Sequence, residues 1–261
     1  MVGDWTGDGT KNIGEFNSSS GIWLLDMNGN GVWDGPVVDK QVSWGSPGDI
    51  PVVGNWNGLG VPDKIGTFNP GSGSWLLDYN GNFTWDGTGT DKFVVWGSPG
   101  DKPVVGDWNG SGTAKIGIFN PTQGWWLLDY NGNYAWEGAG TDRFLKWGSP
   151  GDTPVVGDWT GSGTTKIGVF NSAQAAWLLD YNGNYAWDGA GTDKFLSWGS
   201  SGDIPVVGDW DGSGASKIAV FNPSQGWWVI DYNGNYVWEG AVTDRFLKWG
   251  SPGDTPIVGR W

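Results

Sequence analysis

Pro103-Val104-Val105-Gly106-Asp107-Trp108, followed by Lys115-Ile116-Gly117-Ile118-Phe119 and Trp125-Trp126-Leu127-Leu128-Asp129, is one copy of a phrase that this chain writes repeatedly. Its core, Val-Gly-x-Trp, stands at Val2-Trp5, Val53-Trp56, Val105-Trp108, Val156-Trp159, Val207-Trp210 and Val258-Trp261. The starts are 51, 52, 51, 51 and 51 residues apart. One unit of about 51 residues is therefore written five times, and its opening phrase returns once more at the end. Self-similarity at this period marks propellers and solenoids. The units run over 2–52, 53–104, 105–155, 156–206 and 207–257, with a closing strand at 256–261.

Within the third unit, Pro103–Trp108 reads as a short β-branched strand and Asn109-Gly110-Ser111-Gly112 as a turn. Lys115–Phe119, Trp125–Asp129 and Arg143–Trp147 supply three more strands. A looser arm, 134–142, carries Trp136 and Glu137. No window has a 3.6-residue period, so the chain reads as all-β. Four short strands in some fifty residues is the content of one propeller blade, and stacking neighbours would bury the apolar face each blade leaves bare. The expected fold is a five-bladed β-propeller. Phe16, Phe68, Phe119, Phe170 and Phe221, with Leu24, Leu76, Leu127, Leu178 and Val229, are the expected buried face. The last copy of the phrase would complete the first blade and close the ring; an open β-solenoid cut from a longer array would show the same ends.

Composition narrows the chemistry. Of 261 residues, 49 are Gly and 23 Trp, while His and Cys are absent. Disulfides, thiolate or Ser-His-Asp nucleophiles and the usual zinc sites are excluded, leaving only oxygen ligands for a metal, which suit calcium. A formal charge of −14 disfavours nucleic acid and anionic membranes. No apolar run approaches the ~20 residues of a membrane span, so membrane insertion is not expected. Met1 stands directly against the first phrase, with no basic and apolar leader before it.

One loop has calcium-like spacing. Asp26-Met27-Asn28-Gly29-Asn30-Gly31-Val32-Trp33-Asp34 places oxygen side chains at Asp26, Asn28, Asn30 and Asp34 around a sharp turn. Two readings stand: a calcium site, or an Asx-rich turn whose side chains bond their own backbone. In later copies the oxygens persist, but Gly31 becomes Phe83, Tyr134, Tyr185 or Tyr236. A second loop, Asp4–Asn12, has the same flavour in the first copy. There Asn12 aligns with Lys115, Lys166 and Lys217, which put a cation where a cation would bind.

Gly-Asp-Trp-Thr-Gly-Asp-Gly followed by Lys-Asn-Ile-Gly-Glu-Phe resembles the repeat of integrin-type FG-GAP and VCBS-like β-propellers. It is most similar to bacterial extracellular proteins built from tandem VGDWxGDG…IGVF…WxLDxNGN units. The resemblance spans all five copies and implies a propeller, loop calcium in some members, and a role in adhesion or ligand binding at the cell surface or outside the cell. The eroded acidic loop of copies two to five departs from the pattern.

Four tryptophans recur per unit, and most are expected to pack, since each ring can bury 150–250 Å². The one in the loose arm lies between turn residues and beside an acid, which makes Trp33, Asp34, Trp85, Asp86, Trp136, Glu137, Trp187, Asp188, Trp238 and Glu239 the candidate ligand-binding residues. A flat ring beside a carboxylate suits a sugar. Asp39, Asp91, Asp142, Asp193 and Asp244 either line this site or pair with the Lys or Arg that follows each. Catalysis would need unlike acids in unlike roles, and the symmetry-breaking acids (Asp8, Glu15, Asp63, Asp211) do not form such a set. The expectation is a non-enzymatic, monomeric, multivalent carbohydrate-binding or adhesive propeller whose partners are glycans or cell-surface ligands. A structural or protein-interaction scaffold is the alternative.

Overall fold

A computed structural model of the chain describes residues 1–58 and 62–256. The closing strand expected at 256–261 lies, from 257 onward, outside them. Among the described residues there are twenty strands and no helix. They form five four-stranded antiparallel sheets, one per repeat, each in simple sequence order. The first holds β1 (Val2–Gly3), β2 (Asn12–Asn17), β3 (Ile22–Leu25) and β4 (Lys40–Ser43). The second holds β5 (Ile50–Gly54), β6 (Lys64–Asn69), β7 (Ser74–Leu77) and β8 (Lys92–Val95). The third is β9 (Lys102–Gly106), β10 (Lys115–Asn120), β11 (Trp125–Leu128) and β12 (Arg143–Lys146). The fourth is β13 (Thr153–Gly157), β14 (Lys166–Asn171), β15 (Ala176–Leu179) and β16 (Lys194–Ser197). The fifth is β17 (Ile204–Gly208), β18 (Lys217–Asn222), β19 (Trp227–Ile230) and β20 (Arg245–Lys248). The fold class is that of a five-bladed β-propeller, with each blade a four-stranded meander.

The chain divides into two compact units, one of Met1–Asn120 with Trp126–Phe144, the other of 121–125 with 145–256. In the first, the loop after β1 bonds the segment before β6 (Asp63 N–H to the Asp4 carbonyl, 2.7 Å), and Ala114 bonds Asn55 in the same way. In the second, Ser216 N–H donates to the Asp158 carbonyl at 2.7 Å. Main-chain bonds of this kind repeat at the same place in the unit, so they tie one blade's inner loop to the next.

Each blade is held by a tilted Phe–Trp pair. Phe68 faces Trp75, and Phe170 faces Trp177, as cross-strand partners with ring centroids 5.0 and 4.9 Å apart. The Trp75 and Trp177 indoles donate to the Trp96 and Trp198 carbonyls, so these rings are buried without orphaning their N–H. The four Phe from Phe68 to Phe221 are buried as expected, and Phe16 is half-buried. The leucines divide differently from the expectation. Leu25, Leu77, Leu128 and Leu179 are the fully buried set, because strand alternation turns them toward the Phe–Trp side. Leu76 and Leu127 point the other way and pack on the core of the preceding blade.

One turn breaks a backbone rule. Gly21, Gly73, Gly124 and Gly226 occupy the left-handed region before β3, β7, β11 and β19, and a Cβ there would meet a carbonyl oxygen at 2.5–2.8 Å. The fourth copy has Ala175 instead, at φ 50°. Left-handed backbone costs a Cβ-bearing residue about 1–2 kcal/mol. Replacing Ala175 by Gly should therefore stabilise the protein by about 1 kcal/mol, read as a higher melting temperature without change in denaturant m-value.

Candidate functional site

The tryptophans sort by burial into two kinds. Those after the first strand, at the start of the third and after the fourth are buried in nearly every copy. Trp210 is half-buried, and Trp249 is 77% exposed with no further repeat over it among the described residues. The loose-arm rings Trp33, Trp85, Trp136, Trp187 and Trp238 are all 44–49% exposed. Half-exposure at constant value in five copies means the arm is held in one conformation in each.

The holder is the Asp that follows the arm. Asp39, Asp91, Asp142, Asp193 and Asp244 are fully buried. Each carboxylate accepts one N–H from the start of the arm and one from its acid. Asp193, for example, takes Tyr181 N–H at 3.0 Å and Asp188 N–H at 2.8 Å. The carboxylates of these aspartates therefore do not pair with the next residue; they staple the arm closed, and Asp39 also lines a small pocket with Trp33 and Asp26. The following cation goes to an aromatic ring: Lys92 lies 4.7 Å over Tyr79, Arg143 3.9 Å over Tyr130, and Arg245 4.2 Å over Tyr232. Burial of the staple was signalled in the sequence only by its invariant spacing from the acid, five residues on.

The arm Trp also rests on a neighbour. Trp85 meets Trp44 edge-on at 6.3 Å, Trp136 meets Trp96 at 6.3 Å, and in the second unit Trp187 meets Trp147 and Trp238 meets Trp198. Each underlying Trp donates its indole N–H to a carbonyl of the next copy, such as Trp44 to Leu76 (3.1 Å) and Trp198 to Val229 (3.1 Å). One edge of the arm ring is thus fixed, and a large part of its surface stays in solvent. In the second unit Trp238, Trp198, Tyr236, Ser200 and Phe246 line a groove of about 480 Å³.

The acid beside each arm Trp is oriented by asparagines. Asp34 Oδ2 accepts Asn28 and Asn30 amide hydrogens at 2.9 and 2.6 Å; Glu239 Oε2 accepts Asn233 and Asn235 at 2.7 and 2.8 Å. Those amides hold the Asp34 carboxyl below its usual range. The second oxygen of each acid has no protein partner among the described residues, so it is available to a hydroxyl.

Asp26, Asn28, Asn30 and Asp34, the candidate calcium set, do meet in one loop. Asp26 accepts the Gly29 and Gly31 N–H groups at 2.7 and 2.8 Å, while the asparagine oxygens accept the Asn30 and Val32 N–H groups. Toward Asp34 the asparagines present nitrogen, not oxygen. This donor set is that of an Asx turn, and it suits a self-bonded loop better than a cation. Burial pushes the corresponding carboxyls of Asp78, Asp129, Asp180 and Asp231 up, against the backbone N–H bonds that they accept. Phe83, Tyr134, Tyr185 and Tyr236 replace Gly31 yet keep its left-handed backbone, at φ 63–65°. Their rings are the reason: Tyr134 packs edge-on to Tyr79, and Tyr236 to Tyr181, both at 6.4 Å.

In the other loop, lysine stands in the cation's place. Lys115 is buried and donates to Asp107 (2.8 Å), Ser111 (2.7 Å) and the Thr113 carbonyl (2.9 Å). Lys166 reaches Asp158, Thr160 and Ser162 at 3.0, 2.7 and 2.9 Å. Lys217 pairs with Asp211. Burial opposes ionisation of Asp158, but the Ser162 and Gly163 N–H groups and the Lys166 ammonium outweigh it, holding the carboxyl at about 2.

No known protein family and no curated protein matches the sequence. Solved structures do match in fold. One is BBS1N in complex with ARL6DN, with a TM-score of 0.50 and 9% identity over 91% of this chain and 66% of that one. Another is an Agrocybe aegerita lectin described as recognising non-reducing terminal N-acetylglucosamine, with a TM-score of 0.50 and 16% identity over 91% of this chain and 78% of that one. At these identities the likeness concerns fold alone, and this chain spans about two thirds of the BBS1N chain.

Two outcomes are expected. Lys166→Met should destabilise the protein by about 2 kcal/mol at neutral pH, less than a fully buried pair because Asp158 is partly open to solvent. The folded Asp158 carboxyl titrates below its ordinary value, so its contribution is present above pH about 4 and is lost as the pH falls toward about 2. The gap in melting temperature between wild type and variant should shrink over that window. Second, melting curves with and without a calcium chelator should coincide; a chelator-dependent drop would restore the Asp26 loop as a metal site.

Proposed function

We propose that this chain is a non-enzymatic, multivalent carbohydrate-binding β-propeller, lectin-like, acting at the cell surface or outside the cell with one weak site at each arm. The observation that carries this reading is the fivefold pairing of a half-exposed, immobilised indole with a carboxylate that keeps one oxygen without a protein partner. The ring offers an apolar platform to the C–H face of a pyranose, and the acid offers an acceptor to a hydroxyl. Linked weak sites gain strength by avidity rather than by individual affinity. The charge of −14 favours neutral glycans over anionic ones. The fold-level likeness to an N-acetylglucosamine-recognising lectin supports the same class of ligand, and the FG-GAP and VCBS-like repeat pattern supports an extracellular, adhesive setting.

A second reading has its own support. The BBS1N structure is of a protein held in complex with another protein, and half-exposed tryptophans also serve as anchors in protein interfaces. On that reading the arms contact a protein surface and no small ligand.

Titrating a broad panel of neutral oligosaccharides while following tryptophan emission separates the two. Binding should quench or shift the signal of the arm rings, and replacing Trp33, Trp85, Trp136, Trp187 and Trp238 by Ala should abolish the change while the fold persists. A single Trp238→Ala should weaken adhesion to a glycan-coated surface more than it weakens binding of a monovalent sugar. A panel without any spectral response would remove the carbohydrate reading and leave the interaction scaffold.

A further inference from the structure

The blades differ from one another at one spot that none of the arm residues occupies. In the fifth blade Trp227 stacks flat on Phe246, with ring centroids 4.7 Å apart and planes 6° from parallel, and Lys248 reaches over the indole at 5.8 Å. Trp227 and Lys248 are cross-strand partners, and Val229 pairs with Phe246 in the same ladder. The third copy carries the same residues, Trp125, Phe144 and Lys146. In the fourth copy the Phe is retained as Phe195, but the Trp is Ala176 and the Lys is Ser197, again paired across the strands. Both large partners are absent together while the floor beneath them stays.

The consequence is a cavity of about 180 Å³ beside Ala176, bounded by Phe195, Asp152, Asn171, Gln174 and Ser149. Phe195 is 63% exposed and has no stacked ring among the described residues. The walls are hydrogen-bonded to one another. Asp152 is buried, accepting Ser149 N–H at 2.8 Å through one oxygen and the Asn171 amide at 2.8 Å through the other. Asn171 in turn accepts the Gln174 N–H at 3.1 Å. A space of this size exceeds the ~150 Å³ that suffices for benzene in an engineered cavity, and its polar edge lies beside its aromatic floor.

We infer that this cavity is a binding seat for an indole-class aromatic ring, with the ligand stacking on Phe195 as Trp227 stacks on Phe246 and turning its ring N–H toward the acceptors at the rim. The same fold already places an indole on the equivalent Phe in the fifth blade. Asp152 and Asn171 are engaged with each other, which suits the edge of one planar ring better than the many hydroxyls of a sugar. The site goes beyond the carbohydrate reading and uses different residues. The second copy also lacks the Trp, but there the counterpart Ser74 is bonded to Ser72 at 2.7 Å and pairs across the strands with the bulkier Val95.

The probe is 5-fluoroindole, followed by its fluorine NMR line against the full chain. Saturable binding of about one equivalent is expected. Ala176→Trp should weaken it at least tenfold, by filling the seat from inside as the third and fifth copies do. Phe195→Ala removes the floor from an exposed position where folding tolerates the change, and it should weaken binding at least fivefold. No saturable binding to the folded wild type would overturn the inference, as would undiminished binding to both variants. A stoichiometry near five would place indole on the arms, and displacement by excess N-acetylglucosamine would make the seat a sugar site; either result defeats the proposal, and neither bears on whether the arms bind glycans.

Discussion

Burying an indole puts a premium on an acceptor for its N–H, and the tryptophan that ends each of the first four blades finds one in the next blade. Trp44 donates to the Leu76 carbonyl and Trp96 to that of Leu127; Trp147 and Trp198 do the same with Leu178 and Val229. The acceptor sits on the third strand of the following sheet, so the bond fixes both the spacing and the rotation of one blade against its neighbour. Because the donor ring is also buried, the joint combines apolar area with a directional bond, and leaving that N–H unpaired would cost about 1–3 kcal/mol. The arm of the following blade then lays its own Trp against the same ring. Packing between blades and presentation of the exposed indoles are therefore one arrangement.

Charge is handled by similar economy. A strongly acidic chain must satisfy its buried carboxylates. It does so with backbone N–H groups in the arm staples and with a buried lysine ammonium in the loops after the first strands. Lys115 and Lys166 each gather an aspartate and two or three further oxygens, which is the job a cation performs in loops of related spacing. The ammonium is part of the chain, so the charge that balances the aspartate arrives with the loop itself.

Fivefold repetition separates the features each blade needs from those that vary between blades. The staple aspartates, the joint tryptophans and the Phe–Trp pairs recur because each blade needs them. Deviations are informative where they come in concert. Ala176 with Ser197 removes the Trp and the Lys that cover the exposed Phe in the fifth blade and leaves a cavity, whereas Ala175 in the preceding turn strains a backbone that glycine relieves elsewhere. Glu15 is a deviation of another sort: it is exposed on β2, where the later copies place a buried Thr, Ile or Val against the blade before them.

Repetition at 51–52 residues determined the number of blades, and strand alternation with Gly and Asn turns determined four strands in each, because both are local properties of the chain. The arm tryptophans could be picked out as the exposed set from their position between turn residues and an acid. Three matters were settled only by tertiary structure. Which leucine of each pair faces the Phe–Trp side depends on register, and a shift of one residue exchanges the faces. The role of Asp39 and its counterparts depends on the arm folding back over the carboxylate, which brings together N–H groups twelve and five residues away. And the Asp26 loop has the spacing of a calcium site, yet the direction of its asparagine amides, nitrogen toward Asp34, comes from the turn's own hydrogen bonds, which residue type and spacing cannot express.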